Sequence, residues 1–392
     1  LKKDQFIVPE GMIYLDGNSL GPLPSAAAGR ISSMVEDEWG ELLIKGWNQA
    51  GWMQQPIQLG DRIGKLVGAP SGTVVIGDTL SIKVYQALAA ALAMRPDRKV
   101  ILSDTGNFPT DLYMADGLIK SMDAGHQVQL VEPENVADAI DDKVAVLMLT
   151  QVDYKTGRKH DMMALTQKAQ EAGAVVIWDL AHSAGAFEVE LEQSGCEFAV
   201  GCTYKYLNAG PGAPAFIYVR RDLSETIEPA LSGWLGHDAP FAFERPYRPG
   251  SGIERMRVGT PSVIQMAALE AALDVFDDVS MADIRTRSVA LCELFISEVE
   301  TKCPQLKLAS PRQPDIRGSQ VSFRYADGYP LLQALIERGV VGDFRSPDII
   351  RFGFAPLYID EDDVRRAVEI LKDILESGEW DQPRFHKRAK VT

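Results

Sequence analysis

Two charged residues stand where an apolar chain has least use for them. Asp179 ends the run AVVIWD, and Lys205 comes 26 residues later, just after the run FAVGCT and Tyr204. Such runs read as buried strands, and an ionised group at the end of one is costly unless it is paired or chemically engaged. For Lys205 the plain alternative is a lysine whose stem is buried and whose ammonium reaches water at the loop TYKYLNAGPG. The sharper reading is an amine held in a cleft to form a Schiff base. Asp179 could cap a helix, or it could face a cation such as the protonated ring nitrogen of pyridoxal phosphate. His182, three residues on, is either a packed core histidine or a neighbour of that ligand.

Two other strand ends carry residues of the same kind. Asp78-Thr79-Leu80-Ser81 follows TVVIG and opens a helical pattern. Free N–H groups at a helix start bind anions, and Ser81 adds a hydroxyl; simple capping by Thr79 would give the same pattern. Asn107-Phe108-Pro109-Thr110-Asp111 follows KVILSD. An aromatic in a turn is a core anchor or a flat face for a flat ligand.

The elements that must position these groups alternate along the middle of the chain. TVVIG, KVILSD, QVQLVE, KVAVLMLT, AVVIWD, FAVGCT and PAFIYV are separated mostly by helical patterns. Val-, Ile- and Leu-rich strands between helices predict a mostly parallel sheet covered on both faces. Beyond residue 260 come the helical IQMAALEAALDVF, strands SQVSFRY and DIIRFGF flanking the helix YPLLQALIERG, and a last helix DDVRRAVEILKDIL. We therefore expect an arm over 1–55, a large α/β domain over 56–260 and a smaller α+β domain over 261–392. The Gly-, Asn- and Pro-rich segment LDGNSLGPLP suggests that the arm packs over another part.

The length of 392 residues favours two domains. Forty basic against 55 acidic residues give a net charge of −15, which argues against nucleic acid or an anionic membrane as partner. A small anionic ligand then needs a local pocket of donors. Four cysteines without metal spacing are expected to be reduced core thiols of a cytoplasmic protein. No metal site is expected. LKKDQFIVPEG has no apolar signal-peptide core, and no run is long enough to span a bilayer.

Across essentially the whole chain, a series of motifs resembles the kynureninase family, in that family's order. They are IYLDGNSLG, WNQAGW, NFPTDLY, DYKTG, WDLAHSAGA, the stretch GCTYKYLNAGPG, LSGWLGH and RFGFAPLY. Ala209 stands where a second glycine is usual, which would strain a turn needing positive φ. The resemblance implies a fold-type-I pyridoxal phosphate enzyme, with a mostly parallel seven-stranded sheet between helices and a smaller α+β domain. It implies a hydrolase of a carbon–carbon bond in a ketonic substrate, converting L-kynurenine to anthranilate and L-alanine in tryptophan catabolism.

Position by position, Lys205 resembles the Schiff-base lysine, Asp179 the pyridinium partner, and His182 a neighbour of the cofactor's phenolate edge. Phe108 would stack on the ring. Leu80, Ser81, Pro109, Thr110, Asp111, Thr150 and Tyr204 would hold the phosphate or flank the ring. Trp234 and Thr260 resemble residues reaching the phosphate from the other subunit of a homodimer; Gly-Thr-Pro-Ser also reads as an N-cap with Pro at the first helical position. Arg351 resembles the clamp on the substrate α-carboxylate, placed just after DII in the strand DIIRFGF, where a strand-edge salt bridge is the plain alternative. Tyr204 and Ser19 are candidates to polarise the substrate ketone. Trp47 and Asn48 would face the aryl ring, and Trp47 with Thr260 resembles the bacterial type, implying that 3-hydroxykynurenine is the poorer substrate. Rival readings are a cysteine desulfurase or selenocysteine lyase, which needs a cysteine on a mobile loop, and a non-catalytic pyridoxal phosphate carrier.

Overall fold

All seven apolar runs of the central region become strands of one sheet. The computed structural model describes residues 2–388. The strands are β1 (Val74–Ile76), β2 (Val100–Asp104), β3 (Gln127–Val131), β4 (Val144–Thr150), β5 (Val175–Asp179), β6 (Phe198–Gly201) and β7 (Phe216–Val219). Their order across the sheet is β1-β7-β6-β5-β4-β2-β3. β7 runs antiparallel to both β1 and β6, and every other neighbouring pair is parallel. Six strands therefore point the same way, and the segments after β1, β2, β4, β5 and β6 leave the sheet at one edge. That edge is where ligands of open α/β sheets bind.

The helices that follow β1 and β2 are α3 (Leu80–Met94) and α4 (Pro109–Met122), after α1 (Ala27–Ser33) and α2 (Gln55–Val67). Pro109 occupies the first turn of α4, where its missing N–H costs nothing. Central strands β4 and β5 are buried along their whole length, as covering of both faces requires. α3 packs on one face against β4, β5 and β6.

The second sheet is antiparallel. It consists of β8 (Lys307–Leu308), β9 (Gln320–Arg324), β10 (Asp343–Arg345) and β11 (Ile349–Gly353), in the order β8-β9-β11-β10. Phe295 of the 22-residue helix Met281–Lys302 packs against Phe323, Phe352 and Phe354 at ring-centroid distances of 5.0–6.0 Å. The C-terminal helix Glu361–Ser377 starts in a capping box between Asp360 and Asp363. The helix Val263–Asp274 packs on α1 and α2.

The arm joins the two sheets. Ile13–Tyr14 pairs in parallel with Val340–Val341, and Leu15 accepts from the backbone N–H of Gly353. The turn that follows, Asp16–Gly21, reaches the loop of Lys205, where the Gly21 N–H donates to the Tyr204 carbonyl at 2.8 Å. Gly21 has no room for a side chain there, because a Cβ would meet the Lys205 carbonyl and Asn208. Among the described residues, no helix is long and apolar enough to cross a membrane.

Two local expectations change. Ala209 is not strained: the positive-φ positions of its loop are Asn208, at φ 58°, a residue type that tolerates it, and the glycines Gly210 and Gly212. Thr260 does not cap a helix, since the helix begins at Val263 with Ser262 before it. The backbone at Val258 is held against Gly233, where a Cβ would collide with the Val258 carbonyl, and Leu235 donates to that carbonyl. The chain at 257–262 is non-helical, with a bend at Gly259. Arg351 lies inside β11, within the expected strand DIIRFGF.

Candidate active site

Lys205 leaves the end of β6, and its Nζ lies 3.3 Å from His182 Nε2. It also lies 5.9 Å from the centroid of the Phe108 ring and 5.8 Å from that of Tyr204. Phe108 is 39% exposed. Its turn is fixed from below by Asn107, whose Oδ1 accepts from the Phe108 N–H at 2.7 Å and whose Nδ2 donates to Ser103 Oγ at 3.0 Å. Tyr154 packs edge-on against Phe108, with centroids 5.2 Å apart.

Asp179 ends β5 beside Thr150, its register partner on β4. Its Oδ1 accepts from the Ala181 N–H at 2.9 Å, and its carboxylate is hydrogen-bonded to Asp111. Burial raises both acids: Asp179 is drawn back by the Lys205 charge, and Asp111 is pushed up further by the charge of Asp179. Two buried carboxyls in contact cannot both ionise, so Asp111 keeps a proton and donates it to Asp179. His182 is driven well below its ordinary range, by burial first and then by Lys205, Arg351 and Arg345, so its imidazole is neutral at pH 7. Burial raises Tyr204, and nearby Cys202 adds to the shift; the phenol keeps its proton and can donate it.

The start of α3 forms the opposite end of the site. Thr79 caps it, its Oγ1 accepting from the Ile82 N–H at 3.5 Å. A cavity of about 320 Å³ opens there, lined by Asp78, Thr79, Lys83, Arg257, Thr260 and Ser262. Lys83 is wholly buried, its ammonium bonded to Gln86, the Met256 carbonyl and Asp78. Arg257 and a helix N-terminus make this a place for an anion, Lys83 being already paired with Asp78. A larger cavity of about 540 Å³ lies elsewhere, around Arg62, Lys65, Glu188, Glu190 and Asp277. Arg62 is already paired with Asp274 and Asp277 there, and no hydroxyl, thiol or imidazole is among its lining residues.

Arg351 is 1% exposed, and four of its five N–H groups are engaged. Nε and Nη2 donate to the two oxygens of Asp343, Nη1 to the Tyr154 carbonyl, and Nη2 also to Ser19 Oγ at 3.1 Å. Ser19 in turn donates to Asp343, and Arg345 Nη2 meets the same carboxylate at 3.0 Å. Ser19 thus sits at the guanidinium. Asp16 adjoins this cluster; burial, then the charge of Asp343, push its carboxyl up to about 7.

The structure brings Lys205, Tyr204, His182, Asp179, Asp111, Phe108 and Thr150 together within one chain. Leu80, Ser81, Pro109 and Thr110 open the helices at the same sheet edge. It does not gather Trp47, Asn48 or Trp234 around Lys205. Trp47 packs edge-on to Trp52 at 5.7 Å, in a cluster with Met34 and Ala267. Trp234 stands 39% exposed beside Phe241. Sequence reading gave no role to Asn107, Tyr154, Asp343, Arg345 and Asp16. Asn107, Tyr154 and Asp16 are signalled by their places in NFPTDLY, DYKTG and IYLDGNSLG; Asp343 and Arg345 acquire their meaning only through strand register. All four cysteines are buried and unpaired, so none sits on an exposed loop.

A family model described as the kynureninase C-terminal domain matches residues 284–371. Kynureninase of Pseudomonas fluorescens is 49% identical over 397 aligned residues, covering 100% of this chain and 95% of that one. Kynureninase of Burkholderia pseudomallei strain K96243 is equally similar, at 49% and the same coverage. Among solved structures, a cysteine desulfurase from Thermococcus onnurineus has a TM-score of 0.80 at 16% identity, over 96% of this chain and 97% of that one. A C-DES variant with glycine covalently linked to its pyridoxal phosphate has a TM-score of 0.80 at 18% identity, over 95% of this chain and 99% of that one. At such identities the structures establish the fold: fold-type-I, with the mostly parallel sheet described above.

Asp16 gives the site a pH signature. Its carboxyl titrates near 7 when folded and near its ordinary 3.8 when unfolded, so between those values the folded protein holds a proton that the unfolded chain releases. That stabilisation is complete below pH 4 and is lost as pH rises through 7. Asp343, held low by Arg351, does not titrate in that window. Asp16→Asn should remove the loss, so the wild-type melting temperature should fall relative to the variant between pH 5 and pH 8. Parallel melting curves would show that Asp16 is ionised throughout.

Proposed function

The chain belongs to the kynureninase family, and on that premise we propose how its residues divide the work on the substrate. The protein is a hydrolase that cleaves L-kynurenine at its Cβ–Cγ bond, giving anthranilate and L-alanine, with pyridoxal 5'-phosphate as cofactor. The observation that carries the division of roles is the buried Asp111–Asp179 pair facing Lys205 at the end of the parallel strands.

The residues present fit the cofactor. Asp179 is wholly buried, with one shared proton and no cation but Lys205, and a protonated ring nitrogen supplies the charge it lacks. Phe108 offers a half-exposed face beside Lys205, and the start of α3 offers donors for a phosphate. Leu80, Ser81, Pro109 and Thr110 would hold the phosphate end, with Thr150 and Tyr204 flanking the ring. When bound, pyridoxal phosphate supplies an electron sink for negative charge developed on the substrate.

The chain's own groups do the rest. Arg351 binds the substrate α-carboxylate, beside Ser19. Lys205 Nζ takes the α-proton and holds it for return; neutral His182, 3.3 Å away, adds no competing charge. Tyr204 keeps its proton at neutral pH and so acts on the ketone oxygen as a donor rather than as a base. Water then adds to the polarised ketone carbon and the Cβ–Cγ bond breaks. The cysteine-dependent alternative has no nucleophile here: burial raises the thiols of Cys196, Cys202, Cys292 and Cys303. Four buried, unpaired thiols fit a cytoplasmic setting.

We further propose that the active unit is a homodimer. Trp234, Phe241 (63% exposed) and Phe243 (77% exposed) stack edge-on into an apolar surface patch, and a cluster of exposed aromatics of this kind suits a protein interface. Trp234 and Thr260 would reach the phosphate of the other subunit from it, and Trp47 and Asn48 would face the aryl ring.

Borohydride reduction of the holoenzyme should bleach its visible absorbance and leave the label on Lys205. Lys205→Ala should abolish anthranilate release, followed by fluorescence; label on any other residue refutes the assignment. Trp234→Ala should shift sedimentation toward monomer and weaken cofactor retention together, whereas a fully active monomeric wild type would overturn the dimer. Substrate choice follows from Trp47, whose indole fills space and offers a single donor, leaving an added ring hydroxyl poorly satisfied. L-Kynurenine should be preferred over 3-hydroxykynurenine by about 1–3 kcal/mol in kcat/KM, and a ratio near one would remove Trp47 from the aryl pocket.

A further inference from the structure

We propose that Asp343 is a positioning residue for the substrate carboxylate, fixing which edge of the Arg351 guanidinium faces the ligand. This rests on the reading of Arg351 as the carboxylate clamp. A guanidinium offers five N–H donors, and its side-on edge, Nε with one N–H of Nη2, is the edge that best matches a carboxylate. Here that edge is occupied: Nε donates to Asp343 Oδ1 at 2.5 Å and Nη2 to Asp343 Oδ2. An incoming carboxylate is therefore left the end-on edge, Nη1 and Nη2, where one N–H of Nη1 is uncommitted and Ser19 is the partner that can yield.

The arrangement is built into the sheet. Asp343 on β10 and Arg351 on β11 are register partners in an antiparallel ladder, and both side chains are buried. One carboxylate also stands between two guanidiniums, since Arg345 Nη2 meets Asp343 at 3.0 Å. While Asp16 keeps its proton, the pair of arginines with Asp343 leaves a single positive charge, the complement of one α-carboxylate. Removing Asp343 would leave two like charges in contact and free Arg351 to swing toward the Tyr154 carbonyl that already accepts from Nη1.

The test is a double-mutant cycle on the holoenzyme. Arg351→Lys alone should raise KM for kynurenine; if it does not, the clamp reading fails and the role of Asp343 falls with it. Asp343→Asn, which is isosteric and keeps one acceptor oxygen, should raise KM about tenfold or more, the scale of a lost charge-assisted hydrogen bond, with kcat within about threefold. In the Arg351→Lys background the same change should add little, because residues acting through one another are non-additive. The decarboxylated amine analogue of kynurenine, followed by cofactor absorbance, should bind wild type and Asp343→Asn equally. Should Asp343→Asn not fold, Ser19→Ala removes the hydroxyl that bridges Asp343 and Arg351, and its smaller rise in KM should be non-additive with Arg351→Lys in the same way. An unchanged KM in Asp343→Asn, additive effects in the double variants, or equal losses for the carboxylate and the amine would overturn the proposal.

Discussion

A carboxylate with no water around it has to be matched by a proton or a cation, and much of this site answers that requirement at Asp179. The strand that carries it is buried on both faces, so solvent cannot help. One neighbour, Asp111, meets part of the need by keeping a proton, and Lys205 meets part by its charge. Neither is a full counter-ion in contact. The remainder is an affinity for a positively charged ring placed between the acid pair and the lysine. Phe108 and Tyr154 shape that slot, and the parallel direction of six strands brings acid, lysine and helix start to the same edge.

The second buried charge obeys the opposite arithmetic. Arg351 has its counter-ion in place before any ligand arrives, and Asp343 is shared with a second guanidinium. Breaking such a pair is far costlier than never having built it, which ties the two strands of the small sheet together as firmly as their ladder does. It also makes the carboxylate site weakly rather than strongly positive, which suits a ligand that must leave once cleaved.

Much of this was legible in the sequence because strand-end chemistry is local. Asp179, Lys205, Phe108 and Ser81 each announce themselves by following an apolar run, and the alternation of runs with helices is enough to predict the sheet. Asp343 and Arg345 could not be found that way. Their meaning depends on which residue of β11 lies opposite, and register is decided by packing over the whole sheet rather than by the tripeptide DFR. Asp16 is similar: its carboxyl is unusual only because the arm folds back beside Asp343. The expected cap at Thr260 failed for a related reason, since local propensity was overridden by the close approach of Gly233 to Val258. Trp47 and Trp234 stand apart from the site within one chain, Trp47 against Trp52 and Trp234 beside Phe241.

What joins the two charged centres is a loop rather than a sheet. Residues 151–160 turn back on themselves, His160 N–H donating to the Gln151 carbonyl and Asp153 N–H to that of Arg158. Beneath the turn, His160 Nε2 lies 2.6 Å from the buried Asp104 carboxylate, anchoring it to the end of β2. At its tip Tyr154 faces both ways: its ring rests against Phe108, and its carbonyl accepts from Arg351 and, at 3.0 Å, from Gln320 Nε2. A shift of the Arg351 guanidinium therefore pulls on the backbone of the residue whose ring rests against Phe108. Because close-packed contacts transmit displacement instead of absorbing it, the two centres are coupled through the position of Tyr154.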